Sequence, residues 1–210
     1  MKTIEVTRAT FRGLEYRDAT QFRGYVAGMF RQYPLLHHHF DDGLRYAYPL
    51  VQYKMLSEAA VIIALGGLAP LIGEVFLKIE SNEKSIATSQ AQTAVTSEMY
   101  TYRFSTPYLG LNQENYAQYR SMSALQRKAL VERVLVGNIL SFWKGIGHYE
   151  EQRVFVTAEL RETRAVLKDV QMQAFTGNFV SNALLPCGVG LGKSVARGFG
   201  AIEREGICTI

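Results

Sequence analysis

The chain has 210 residues, enough for one large or two small domains, and 48% are hydrophobic, which excludes a disordered chain. A net charge of +4 permits an anionic partner without requiring one, and two cysteines, Cys187 and Cys208, suggest neither a disulfide framework nor a cysteine zinc site, which fits a reducing cytoplasm. The opening Met-Lys-Thr-Ile-Glu-Val has no apolar signal core, and the most apolar run, residues 59–73, is too short for a bilayer and contains Pro70, so no membrane span is expected.

Residues 1–9 alternate around Ile4 and Val6 and read as a strand. Asp18 is placed to cap a helix running to about Gln32, with Phe22, Val26, Met29 and Phe30 as its apolar stripe. Gly24 and Gly28 weaken that helix, so close packing against a sheet is expected to compensate. Pro34 is expected to end the segment. Residues 44–55 read as an aromatic, β-branched strand with Pro49 at an edge or bulge, 61–65 as a short strand and 70–80 as a second helix. The order β-α-β-β-α is half of a ferredoxin-like domain. Residues 81–98, rich in Ser, Thr, Gln and Asn, look like a boundary that contains a fourth strand around 86–95.

Beyond it, 99–108 reads as a strand, and a long helix over 124–143 carries Val131, Leu135, Ile139 and Trp143 at i+4 steps. Residues 153–160 and 164–170 suggest a hairpin, 172–185 is strand-like, and 199–203 forms a last strand. The expected class is α+β, with two ferredoxin-like domains in tandem over residues 1–95 and 96–210.

Cys187-Gly-Val-Gly-Leu-Gly-Lys-Ser-Val-Ala-Arg-Gly-Phe-Gly200 sets five glycines, at 188, 190, 192, 198 and 200, around Lys193, Ser194 and Arg197. Glycine lets another chain come close, and exposed backbone N–H groups beside two cations make a surface for phosphate. A P-loop would need glycine where Cys187 stands, and a dinucleotide fingerprint would need a βαβ unit to follow. The alternative is a glycine-rich turn between two late strands, without a ligand.

His37, His38 and His39 follow the first helix. In an extended backbone His37 and His39 point one way and His38 the other. Two imidazoles on one face, titrating near about 6.5, can act as general base and general acid, the pair that RNA cleavage without metal requires. With Asp41 and Asp42 close behind, the cluster also suits a weak metal site, or a polar loop capping the preceding helix. Arg45, Tyr46, Tyr48 and Lys54 come next. Aromatics beside cations stack on bases and neutralise phosphate, or else fill a sheet face. Lys54 either stabilises charge building on phosphorus or sits at a solvated strand end. Arg120, Arg127, Lys128, Arg133 and Lys144, at or on the long helix, form either a phosphate-tracking face or an ordinary solvated one. His148 reads as structural.

Gly190-Leu-Gly-Lys-Ser-Val-Ala-Arg-Gly-Phe-Gly200 resembles the C-terminal glycine-rich loop of the RAMP superfamily of CRISPR-associated proteins, above all the endoribonucleases that process CRISPR repeat RNA. One branch of these has a first-helix signature like Phe22-Arg23-Gly24-Tyr25, a His-x-His loop, and a Tyr-Pro-x-x-Gln-Tyr-Lys strand like Tyr48 to Lys54, in the order found in this chain. The resemblance implies a metal-independent endoribonuclease that cuts precursor CRISPR RNA within the repeat, leaving 2′,3′-cyclic phosphate and 5′-OH ends. It carries catalysis to the outer histidines, His37 and His39. The middle position is usually asparagine, and His38 departs from that, so which two of the three act stays open. It places the RNA backbone on Gly190, Gly192, Lys193, Ser194, Arg197 and Gly198, with Arg45, Tyr46, Tyr48 and Lys54 as further contacts. No cofactor and no metal are implied. The partners implied are repeat RNA, with other CRISPR-associated effector subunits and a homodimer allowed. A non-catalytic RAMP subunit that binds RNA inside an effector complex is the rival reading; it shares the loop but needs no histidine pair. An unrelated α/β enzyme using the histidines for metal is the third.

Overall fold

The computed structural model describes residues 1–37 and 47–206. Its elements in chain order are β1 (Lys2–Arg12), α1 (Ala19–Met29), α2 (Pro34–His37), β2 (Val51–Leu56), β3 (Ala59–Leu65), α3 (Ala69–Lys78), β4 (Glu83–Phe104), α4 (Gln113–Ser121), α5 (Ala124–Gly145), β5 (Val156–Leu167), β6 (Val170–Leu184) and β7 (Ile202–Arg204). One antiparallel sheet runs β2-β3-β1-β4-β6-β5, with β7 beside β4. The first four strands have the ferredoxin-like order. The same order, β7-β4-β6-β5, recurs in the second half, with α5 as its first crossover. Where the second crossover helix of that repeat would lie stands the glycine-rich segment, residues 185–201.

Every residue of β3 is buried, because the sheet there is covered on both faces. Ala60, Ile62 and Ala64 pack with Phe22, Val26, Ile72 and Val75 under α1 and α3. Their neighbours Val61, Ile63 and Leu65 pack with Leu135, Ile139 and Trp143 of the second half. This explains an unbroken apolar run in place of alternation.

The Asp18 cap forms as expected: its Oδ1 accepts from the N–H groups of Thr20 and Gln21, both at 2.9 Å. Gly24 and Gly28 differ from expectation. Both face outward, and a Cβ added at either would meet nothing within 4 Å, so no sheet packing accounts for them. Pro34 opens α2 instead of ending a segment, since its missing N–H is harmless at a helix start.

Two further expectations change. The polar stretch read as a boundary is one continuous 22-residue strand, which pairs with β1 up to Thr93 and with β6 from Ala94. The hairpin turn lies at Lys168–Asp169, with φ of 51° and 62° and no glycine, so β5 continues through the residues read as a break. Cys208 lies outside the described residues. No helix among the described residues is long and apolar enough to cross a membrane.

Candidate functional site

The glycine-rich segment folds back on itself. Gly188 N–H donates to Ile202 O (2.7 Å), Ile202 N–H to Val189 O (3.0 Å) and Leu191 N–H to Gly200 O (2.9 Å), so the segment's two ends zip together into a short ladder. Gly200 takes φ +65°, and any Cβ there would run into the Leu191 carbonyl. The second half grips the ladder through Lys193 N–H to Leu109 O (2.8 Å) and Gly200 N–H to Pro107 O (2.9 Å). Much of the backbone expected to face phosphate is therefore engaged within the fold. The exposed tip presents Lys193, with Ser194, Arg197 and Gly198 half-buried beside it.

The first half supplies the socket. Tyr48 Oη donates to Gly190 O at 2.7 Å, Gln52 Nε2 donates to Tyr48 Oη at 2.7 Å, and Gly190 N–H donates to Gln52 Oε1 at 2.9 Å. Both backbone groups of Gly190 are thus held by one Tyr–Gln pair. Lys54 Nζ donates to Val195 O (2.9 Å) and Phe199 O (3.0 Å) from a fully buried position. A Cβ at Gly190 would come within 2.7 Å of that Nζ, so only glycine lets the ammonium reach under the loop. Burial lowers the Lys54 pKa to about 7 and raises that of Tyr48. The solvated strand end expected for Lys54 is therefore corrected: this cation is enclosed. Gln52, two residues before Lys54, was given no role of its own from sequence, although it is a fixed position of the Tyr-Pro-x-x-Gln-Tyr-Lys strand.

Tyr53 joins three parts of the site. Its backbone bridges to Arg197, and its hydroxyl donates to Leu36 O at 3.2 Å. Leu36 precedes His37, the last residue of α2. Leu36, the residue before His37, is therefore held by the same residue that bridges to Arg197 of the glycine-rich segment. His37 closes a helical turn, so the extended-chain alternation does not hold at that position. His38, His39, Arg45 and Tyr46 lie outside the described residues, as do Asp41 and Asp42.

Arg23, quoted in the first-helix signature but given no role from sequence, belongs to this site. Its half-buried guanidinium has a lowered pKa, through burial first and the nearby charge of Arg197 second. Gly198 brings the loop against the start of α1, where a Cβ would sit 2.8 Å from Ala19 Cβ. On α5 the basic face is partly paired: Arg127 donates to Tyr119 O (3.0 Å) and lies 3.5 Å from Glu162, and Lys128 lies 3.9 Å from Glu132. His148 packs edge-on to Trp143, with ring centroids 5.4 Å apart, and lies 3.4 Å from Glu150.

Residues 1–103 match the family model for the Cas6b N-terminal domain, and residues 94–205 match that for the Cas6b C-terminal domain. A crystal structure of Cas6b is 29% identical and superposes with a TM-score of 0.88, covering 96% of this chain and 99% of that one. A second, of the CRISPR RNA processing endoribonuclease Cas6b, is 27% identical with a TM-score of 0.83, covering 97% of this chain and all of the other. A Cas6 product complex at 14% identity and a TM-score of 0.60 shares the fold. An uncharacterised protein of Methanocaldococcus jannaschii is 30% identical over 135 residues, 64% of this chain and 90% of its own length. With both halves matched, and the second match alone spanning more than half of the residues, the chain belongs to the Cas6b family.

Proposed function

We propose that this chain is an endoribonuclease that cuts precursor CRISPR RNA within the repeat, without a metal ion. Its support is the family, one crystallised member of which is a CRISPR RNA processing endoribonuclease, and one observation of the fold. That observation is Tyr53, which is tied to Leu36, at the start of the histidine segment, and to Arg197, at the basic tip of the glycine-rich segment. A ribose-phosphate strand laid on the tip, against Lys193, Ser194 and Arg197, then runs toward Leu36, the residue before the histidine segment.

In this reading one imidazole, of His37 or His39, takes the proton from the ribose 2′-OH. The 2′-oxygen bonds to phosphorus, the bond from phosphorus to the 5′-oxygen breaks, and the second imidazole gives its proton to that oxygen. The products are a 2′,3′-cyclic phosphate and a 5′-OH. Gln52 and Lys54 act through the loop they hold, not by touching RNA, and Tyr48 holds that loop through its hydroxyl.

Repeat RNA incubated with the protein in excess EDTA should be cut, and a 2′-deoxy substitution at the cut site should abolish cutting. His37→Ala and His39→Ala should each slow cleavage by roughly 10²–10⁴-fold while RNA binding persists. Cleavage that stops on chelation or survives the deoxy substitution would refute the mechanism. Binding with no cleavage by the unaltered protein would favour a non-catalytic RNA-binding subunit.

A further inference from the structure

Gly137 stands in the middle of α5, a 22-residue helix. Glycine in a helix interior costs about 1 kcal/mol relative to alanine. Packing does not account for it, because a Cβ added there would meet nothing within 4 Å. It lies instead on the wall of a hollow of about 390 Å³, between α5 and the tip of the glycine-rich segment. Lys193, Asn112, Asn115, Asn138 and Ser141 share that wall.

The hydrogen bonds around the hollow give it a chemical sign. Asn112 Oδ1 accepts from the Asn115 N–H at 2.6 Å, capping α4. Asn138 Oδ1 accepts from the Tyr108 hydroxyl at 3.2 Å. With both carbonyl oxygens engaged, these asparagines have their NH₂ donors left to offer, and the Lys193 ammonium has donors alone. The hollow is therefore rich in donors, side-chain-free where Gly137 lies, and open to a strand crossing the loop tip. Its volume falls in the lower range of small-ligand sites and suits one nucleotide.

We infer that this hollow takes a single extruded nucleotide of the bound RNA, base inward, its keto oxygens meeting the asparagine amides. The inference rests on the RNA-cleaving reading above and names a subsite for it. Uracil, with two keto oxygens and no exocyclic amino group, fits such a lining. Guanine, adenine and cytosine would each set an exocyclic amino group against donors, leaving both sides unpaired.

The test uses the full-length protein and repeat RNA carrying a 2′-deoxy nucleotide at the cut site, with binding read by fluorescence anisotropy. Each repeat position is varied through all four bases. The unaltered protein should show one position where uracil binds about tenfold tighter than the other three bases. Gly137→Leu fills the hollow and removes the helix defect, so its melting temperature should hold or rise. It should bind about tenfold more weakly and lose discrimination at that position. Gly137→Ala, which stiffens the helix without filling the hollow, should bind as the unaltered protein does. Equal loss in both variants, or unchanged affinity and base profile in Gly137→Leu, overturns the subsite alone, provided the unaltered protein still cuts repeat RNA. An unaltered protein that neither binds nor cuts repeat RNA overturns the RNA reading, and the subsite with it.

Discussion

Lys54 shows how a residue's chemistry follows from what encloses it. Its ammonium reaches two loop carbonyls, those of Val195 and Phe199, across more than a hundred residues of sequence. Lys54→Met keeps most of the volume but leaves both acceptors unpaired, at about 1–3 kcal/mol each. Thermal unfolding should register this as a melting temperature lower by several degrees. The titration gives a second arm. Burial depresses the pKa from its ordinary 10.5 to about 7. Below about pH 7 the folded and unfolded chains both carry this proton; between there and 10.5 only the unfolded chain does. Stability must therefore rise with pH across that window. The melting temperature of the unaltered protein should climb more steeply from pH 6.5 to 9 than that of Lys54→Met. Equal slopes would mean that Lys54 stays charged inside the fold.

At the scale of elements, glycines with opposite roles stand within one site. Gly24 and Gly28 lie on the open face of α1, in ordinary helical backbone. Gly24→Ala and Gly28→Ala should each raise stability by about 0.5–1 kcal/mol, measured by denaturant unfolding. Gly200→Ala should do the reverse, since at φ +65° its methyl would press on the Leu191 carbonyl and open the ladder. A neutral Gly200→Ala would show that the loop does not need its closed form.

These elements also mark how far the sequence could be read. Asp18 and the Phe22–Val26–Phe30 stripe announce α1 because cap and period agree. α4 gives no such signal: only Tyr119 of its nine residues is buried. The first part of β4 looked like a linker because, from Ser85 to Gln90, its side chains on both faces meet solvent. The glycine-rich segment was legible as a loop that approaches something closely, and its neighbours Tyr48 and Lys54 were legible as important. Their direction was not. Spacing along a strand cannot say that Tyr48 will meet a carbonyl 142 positions later, so the loop-holding role of these residues was not legible.

For the molecule as a whole, the two ferredoxin-like repeats are built on shared parts. β3 gives alternate side chains to two cores, and β4 belongs to both repeats, changing partner between Thr93 and Ala94. Thr93 is fully buried at that point. Its hydroxyl accepts from Trp143 Nε1 at 2.6 Å and donates to Leu184 O at 2.6 Å, joining α5 and β6 to the end of the β1–β4 ladder. Neither repeat can unfold without exposing the other's core, so unfolding should be a single transition. Trp143, the only tryptophan, reports from the second half, while far-UV circular dichroism reports from the whole chain. The two curves should coincide, with calorimetric and van't Hoff enthalpies equal. Thr93→Val preserves shape but removes the hydroxyl, stranding a buried donor and a buried acceptor at about 1–3 kcal/mol each. It should move the single transition down by several degrees without splitting it. Two resolved transitions, in either protein, would mean that the repeats fold independently and that β4 does no more than run from one to the other.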